Sequence, residues 1–211
     1  MATGNINLHT VHHQKGVGMI EVLVTLFILS IGILGVASMQ FVSSFSNSDA
    51  LNRSQSVMVA QQISERLRAS ARVSLIGDGL VVDANYFNED IYNFGNLSCD
   101  SSASAYDCFC LAVPAGIPDC SAGQCSAQEF ATFDGYEASC SAVSANPTVK
   151  LDVACDDNNL IDAEACSTGS RLSIILAWPV ENWQNIDRQL NEECNVDESE
   201  PHDCVRLDVV L

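Results

Sequence analysis

The stretch Lys15-Gly16-Val17-Gly18-Met19-Ile20-Glu21-Val22-Leu23-Val24 decides the fold of this chain. It opens an apolar run, residues 22–39, in which eighteen consecutive positions carry no charge. A run of that length is a candidate membrane-spanning helix. Glu21 lies at the start of the run, and placing a carboxylate inside a bilayer costs about 2.5–3.5 kcal/mol on insertion scales. Glu21 is therefore either a functional carboxylate or a head-group residue at the end of an ordinary membrane anchor.

The order of these features resembles the leader of type IV prepilins and pseudopilins. A short polar segment ends in Lys15-Gly16, and Glu21 is the fifth residue after the glycine. The resemblance implies that prepilin peptidase cuts after Gly16 and methylates the new N-terminus, Val17. It also implies that Glu21 sets the assembly register by pairing with the Val17 amine of a neighbouring subunit. A secretory signal peptide fits poorly, because the apolar stretch is too long and no small-residue cleavage site follows it.

The same resemblance gives the chain an orientation. Residues 1–16 are predicted to be the cleaved leader and residues 17–42 the transmembrane or filament-core helix. Lys15 is the only fixed positive charge before the span, so the positive-inside rule favours either orientation only weakly. The N-terminus is placed in the cytoplasm and the head in the periplasm, with later export on the pilus to the cell surface, because prepilin-like proteins are arranged in that way.

The helix is predicted to continue beyond the apolar run. The chain has no proline before Pro114 and no glycine between Gly35 and Gly77, so nothing breaks a helix there. The helix is predicted to run from residue 17 to about residue 73, and residues 43–76 are assigned to the amphipathic segment that precedes the head. Its apolar stripe follows helical spacing and contains Leu51, Met58, Val59, Ile63, Leu67 and Ala71.

Ten cysteines, all beyond Asn96, characterise the rest of the chain. An even number confined to the part past a membrane span predicts disulfides formed in an oxidising compartment. A zinc or iron–sulfur site is the alternative, but the chain has no Cys-x-x-Cys pair and its only histidine beyond the leader is His202. Cys194 and Cys204 bracket a nine-residue acidic loop before the last predicted strand, and we predict that they pair.

The predicted head, residues 77–211, is strongly acidic. Residues 73–211 contain four basic and twenty-four acidic side chains, within a chain whose net charge is −18. Nucleic-acid binding requires a basic surface, so no nucleic-acid partner is predicted. The acids are interpreted as a solvated surface that resists aggregation. No cofactor is predicted; the alternative is calcium, for which Asp152, Asp156, Asp157 and Asp162 offer oxygen ligands, although their spacing is not that of an EF-hand.

Three strands and a short helix are predicted in the head. Residues 148–153, 171–178 and 205–211 have the alternating or β-rich composition of strands. Residues 126–136 are predicted to form a helix with Phe130 and Phe133 on one face. A long helix laid on an antiparallel sheet, with cysteine-tied loops between, is an α+β fold. No catalytic triad, glycine-rich phosphate loop or zinc-protease motif occurs, so the chain is not predicted to be an enzyme.

Several segments together resemble the PilV-type minor pilins of the type IV pilus: residues 20–24, 28–35, 63–70, 125–137 and 171–178. After residue 137 the chain departs from that family, because a Cys- and Asp-rich segment replaces its usual Leu-Pro-x-Gly region. The resemblance implies a type IV pilin-like α+β fold and a minor pilin that helps prime or cap the pilus with other minor pilins and the major pilin, supporting twitching motility and adhesion. A type II secretion minor pseudopilin and a lone membrane-anchored extracytoplasmic binding module are the alternatives.

Overall fold

Helix α1 runs from Met19 to Ser70 in the computed structural model, which describes residues 16, 18–99, 103–121, 123–180, 194 and 201–211. The predicted leader, apart from Gly16, and Val17 lie outside the described residues. The carbonyl oxygen of Gly18 accepts the first bonds of the helix, from the amide of Glu21 at 2.9 Å and that of Val22 at 3.3 Å. The chain divides into two units, residues 1–48 and 49–211, and the second holds the head.

Within the second unit, α1 is buried along one face. The predicted stripe is confirmed at Val59, Ile63 and Leu67, whereas Leu51 and Met58 are exposed. A helix turns about 100° per residue, so Met58 points away from a face centred on the row that ends at Leu67. Small side chains complete the packed face instead: Ser56, Ala60 and Ser64.

Helix α1 ends at Ser70, three residues before its predicted end at about residue 73. The cause is a hairpin: β1 (Arg72–Val73) pairs antiparallel with β2 (Leu80–Val81). The amide of Ser74 donates to the carbonyl oxygen of Gly79 at 3.0 Å, and Gly79 has a φ of 146°, which favours glycine. These cross-strand bonds take the chain out of the helix.

Two 3₁₀ turns and two helices follow the hairpin. The turns are Ala84–Phe87 and Glu89–Ile91, and the helices are α2 (Ala105–Phe109) and α3 (Ala127–Ala145). Helix α3 begins at a capping box. The amide of Glu129 donates to Ser126 Oγ at 3.3 Å, and the amide of Ser126 donates to Glu129 Oε2 at 2.8 Å.

Helix α3 is longer than the predicted helix at 126–136, and its two phenylalanines do not share one environment. Phe133 is buried, whereas Phe130, one turn earlier on the same side of the helix, is 40% exposed. Gly135 lies within the helix without ending it. A Cβ there would lie 2.8 Å from the side chain of Ile91, so the glycine permits α3 to pack closely on the second 3₁₀ turn.

A three-stranded antiparallel sheet completes the head, in the order β3-β4-β5. The strands are β3 (Lys150–Asp156), β4 (Arg171–Pro179) and β5 (His202–Val210). The three predicted strands are confirmed in kind. Their ends move because pairing extends beyond the apolar alternation: Asp156 pairs with Arg171, and Pro179 pairs with His202.

The core lies between one face of the sheet and helices α1 and α3. Alternate residues of the central strand are at most 3% exposed: Leu172, Ile174, Leu176 and Trp178. They pack in one cluster with Leu67 of α1 and Ala138 of α3. The molecule therefore has the predicted α+β architecture, a long helix packed on an antiparallel sheet.

Five disulfides join all ten cysteines: Cys99–Cys108, Cys110–Cys140, Cys120–Cys125, Cys155–Cys166 and Cys194–Cys204. No cysteine thiolate is left to bind zinc or an iron–sulfur cluster. The bond between Cys110 and Cys140 spans the longest separation, 30 residues, and ties the end of α2 to α3. The other four close shorter loops.

Candidate functional site

The N-terminal part of α1 presents an uncovered apolar surface. Over residues 19–42 its large apolar side chains are 46–85% exposed. By length and composition α1 can cross a membrane, and no residue of its most apolar window is buried within the chain. Side chains of this kind require lipid or the apolar helices of other subunits to remove them from water. The segment is thus built to be covered by something outside this polypeptide.

Two glycines lie within this apolar surface, and no close contact in the described structure requires a glycine at either position. A Cβ added to Gly32 or to Gly35 would meet no atom within 4 Å. Each glycine also lowers helix stability by up to about 1 kcal/mol relative to alanine. Neither residue is therefore explained by packing within this chain.

Glu21 is located in the first turn of α1 and is exposed. A negative side chain at this position is favoured by the helix dipole. The carboxylate lies directly before the apolar run, where a bilayer or a helix bundle would leave it without water unless a cation pairs with it. Gly16 precedes it by five residues, and Val17, whose amine is the predicted partner, lies outside the described residues. The processing and register roles of Gly16, Val17 and Glu21 thus stay predictions.

The head contains a buried polar network that the sequence analysis missed. Arg66 of α1 donates from Nη1 to Asp134 Oδ1 and from Nη2 to Glu137 Oε2, each at 2.6 Å. Tyr86 Oη donates to Asp134 Oδ2 at 2.7 Å, and Tyr92 Oη donates to the carbonyl oxygen of Tyr86 at 2.8 Å. The network joins α1, the first 3₁₀ turn and α3 around one carboxylate.

The pKa values of Arg66 and Tyr86 are both raised, which keeps Arg66 charged and Tyr86 protonated in this network. Burial alone would lower the pKa of Arg66, but the hydrogen bonds to Asp134 and Glu137 raise it above its ordinary value. Burial raises the pKa of Tyr86, and its hydrogen bond to Asp134 raises it further. Arg66 stays charged and Tyr86 stays neutral at any physiological pH. The network is a clamp that joins α1 to α3.

A second ion pair attaches α1 to the sheet. Arg53 Nη2 lies 3.1 Å from Asp203 Oδ1 and 3.2 Å from Oδ2. Asp203 is on β5 next to Cys204, whose amide also donates to Asp203 Oδ1. Residues 195–200 lie outside the described part of the chain, so the loop between Cys194 and Cys204 is represented only by its ends. Arg53 thus fixes α1 beside the disulfide-bonded end of β5.

The four candidate calcium ligands make separate contacts within the described structure. Asp152 lies on β3, where burial raises its pKa, and Asp156 pairs with Arg171 at 2.7 Å. Asp157 and Asp162 accept hydrogen bonds inside the β3–β4 loop. Among the residues that the structure describes, no group of three or more His, Cys, Asp or Glu side chains is placed to hold a metal ion.

The sequence offered a weak signal for the clamp. Arg66 lies beside Leu67 in the amphipathic half of α1, and Asp134 lies beside Phe133 in the predicted mid-chain helix. A charged residue next to a core residue of a helix can be either buried or exposed, because consecutive residues are separated by only about 100° around the helix axis. Only the packing of α3 on α1 shows that the two charges meet.

Comparison with known proteins identifies the N-terminal segment. Residues 11–37 match the family described as the prokaryotic N-terminal methylation motif, and the match includes Gly16, Val17 and Glu21. No curated protein and no solved structure matches the chain. The motif supports a protein of the type IV pilin or pseudopilin type, which implies processing by prepilin peptidase and assembly with other pilin-type subunits. It fits a membrane-anchored structural subunit.

Proposed function

We propose that this chain is a PilV-type minor pilin that helps prime or cap assembly of the type IV pilus, and thereby supports twitching motility and adhesion. One observation carries the proposal. The methylation motif at residues 11–37 leads without interruption into an exposed apolar helix that has Glu21 in its first turn. A motif that creates a new N-terminus and a helix that needs apolar partners are the two requirements for joining a helical bundle.

The steps follow from that arrangement. Prepilin peptidase cuts between Gly16 and Val17, and the apolar half of α1 anchors the subunit in the inner membrane with the head in the periplasm. On assembly the same apolar surface leaves lipid for the bundle formed by other minor pilins and the major pilin. Glu21 then pairs with the Val17 amine of a neighbour, because no other cation is near a carboxylate buried in such a bundle.

The charge of the head supports a minor subunit over a major one. The chain carries a net charge of −18, and most of its acids belong to the head. Identical heads packed side by side would bring like charges within the Debye length, which is about 8 Å at physiological salt. Mixing with less acidic subunits avoids this repulsion. Purified pili should therefore contain this chain far below the level of the major pilin, and a filament built mainly of it would contradict the proposal.

Processing is the first test. Mass spectrometry of the protein from native envelopes should show a chain that begins at N-methylated Val17. Gly16→Leu should leave the precursor uncut in the membrane, because the peptidase must accommodate the residue before the bond. Gly32→Ala is the matched control: a Cβ meets nothing within 4 Å there, and cleavage should be normal. Assembled, functional protein that retains Met1 would overturn the proposal.

The register role of Glu21 is tested separately. Glu21→Ala should leave the chain cleaved and inserted in the membrane but should impair pilus priming, because the pairing cation loses its partner. Glu65→Ala is the control, since Glu65 lies on the same helix, is exposed and pairs only at the surface with Arg68. Pili counted by electron microscopy should fall only for the Glu21 variant. Normal piliation with Glu21→Ala would refute the register role.

A type II secretion minor pseudopilin is the alternative that shares the motif. Deletion of the chain separates the candidates: a minor pilin is required for piliation and a pseudopilin for release of secreted enzymes. A lone membrane-anchored binding module would be required for neither.

A further inference from the structure

Two loops of the head expose their largest apolar side chains. In the β1–β2 hairpin, Leu75 is 100% exposed and Ile76 is 59% exposed. In the β3–β4 connection, Leu160 is 87% exposed and Ile161 is 95% exposed. With two further exposed residues of the hairpin strands, these side chains form what we call the apolar corner: Val73, Leu75, Ile76, Leu80, Leu160 and Ile161.

The two loops are held against each other. Ser74 Oγ donates to Glu164 Oε1 at 2.6 Å, which links the hairpin to the β3–β4 connection. Thr168 lies against the hairpin so closely that a Cβ added to Gly77 would be 2.8 Å from Thr168 Oγ1, and one added to Gly79 would be 3.1 Å from Thr168 Cβ. The exposed aliphatic residues thus lie on two loops that contact each other.

The backbone beneath the corner is well bonded, although its apolar side chains are 41–100% exposed. The Cys155–Cys166 disulfide closes the second loop. Inside it, Asp157 Oδ1 accepts from the amide of Ser167 at 3.0 Å, and Asp162 Oδ2 accepts from Ser167 Oγ at 2.8 Å. A loop that is ordered before binding loses little conformational entropy when a partner covers it. Exposed apolar patches on such loops are typical of interaction sites.

The hairpin, the end of β3 and the β3–β4 connection also carry five acids, which we call the acidic rim of the corner: Asp78, Asp156, Asp157, Asp162 and Glu164. The two nearby bases are already paired, Arg72 with Asp83 at 3.6 Å and Arg171 with Asp156 at 2.7 Å. An apolar centre with an acidic rim is complementary to an apolar pocket with a basic rim.

We infer that the apolar corner docks a protein partner whose face has an apolar pocket rimmed by Lys and Arg. A second copy of this chain would bring another acidic rim against the first, and an anionic lipid surface would repel it in the same way. The inference goes beyond the proposed function and needs neither cleavage nor a pilus.

Photo-crosslinking of the full chain in its native cells tests this inference. Position 161 receives p-benzoylphenylalanine, and the matched control carries the same probe at position 111, because Leu111 is 71% exposed but lies outside the corner. The expected result is one discrete adduct with a different protein from position 161 and none from position 111. Thiol labelling under non-reducing conditions checks that both probe-bearing chains keep their disulfides.

The effect of charge on adduct yield shows whether the crosslinked partner binds at the apolar corner and its acidic rim. Asp78→Lys should lower adduct yield about tenfold, since it places a cation against the partner's basic rim. Raising the salt in washed envelopes from about 0.1 M to about 1 M, which shortens the Debye length from about 10 Å to about 3 Å, should lower the yield in the same direction. Adducts with a second copy, adducts with lipid alone, a yield equal to that at position 111, or insensitivity to salt and to Asp78→Lys would each overturn the inference.

Discussion

The two units of the chain differ in whether their large apolar side chains are covered by other parts of the chain. Over residues 19–42, α1 leaves its large apolar side chains exposed, and none of the residues that the structure describes covers them. In the head, the same helix buries Val59, Ile63 and Leu67 against α3 and the sheet, and five disulfides hold the surrounding loops. One helix thus has a half whose packing must come from outside the chain and a half whose packing comes from within.

This difference separates two kinds of stability. A substitution in the head changes the free energy of unfolding directly, because its contacts are intramolecular. A substitution at residues 19–42 acts only when lipid or another subunit is present. The following variants test that separation.

The largest effect on the stability of the head should come from Leu67→Ala, when it is compared with Leu29→Ala on the same helix, α1. Leu67 is fully buried, so Leu67→Ala should lower the free energy of unfolding of the head by about 3–5 kcal/mol. Leu29→Ala, at an exposed position, should change it by less than about 0.5 kcal/mol. Urea unfolding of the full chain in detergent, followed by tryptophan fluorescence, measures both. Comparable losses from the two variants would show that the apolar half contributes to the stability of the head.

A smaller effect is expected at the polar clamp. Asp134→Ala removes the acceptor of Arg66 and of Tyr86 at once, and should cost about 2–3 kcal/mol, because buried donors are left unsatisfied while Arg66 keeps Glu137. Glu137→Ala is the control in the same network. The Glu137 side chain is 38% exposed, so its loss should cost less than about 1 kcal/mol. The same unfolding experiment applies, and equal costs would contradict a clamp centred on Asp134.

The smallest effect is a pH dependence in the β3–β4 loop. The amide of Ser167 is the main cause that lowers the pKa of Asp157 from 3.8 to about 2. Because the folded pKa lies below the unfolded one, the contribution of Asp157 is complete above about pH 4 and is lost as pH falls through about 2. Asp157→Asn should remove this part of the acid dependence, measured by hydrogen exchange of the loop amides.

Asp78→Asn serves as the control for that experiment, since Asp78 lies in the neighbouring hairpin and is exposed. It should leave the acid dependence of the loop unchanged. An unaltered profile in the Asp157 variant would mean that other groups govern the loop.

The parts of the fold that were predicted from sequence are those with local causes. The start of α1 and its apolar half follow from an uncharged run and the absence of proline. The three strands follow from alternation, and the predicted disulfide chemistry follows from ten cysteines beyond a span. Each of these features depends on residues that are close together in the sequence, so it can be predicted without knowing which distant residues come into contact.

The errors and omissions have non-local causes. The end of α1 at Ser70 depends on a partner strand at residues 80–81, and the contact of Arg66 with Asp134 depends on where α3 lies. The pairing of Cys110 with Cys140 requires α2 and α3 to be adjacent. Only Cys194 with Cys204 was proposed as a pair from the sequence, because spacing does not reveal which Cβ atoms approach closely enough to bond.

Charge, hydropathy and residue spacing are properties of the chain alone, so the N-terminal methylation motif, the long apolar helix and the acidic head with oxidised cysteines can be predicted from them. The packing of the folded head sets which charges meet, which cysteines bond and which aliphatic residues stay in water. Arg66 meets Asp134 across 68 positions, and Leu75 and Ile161 belong to loops that contact only after folding. Such pairings are set by packing between elements, which local patterns do not encode.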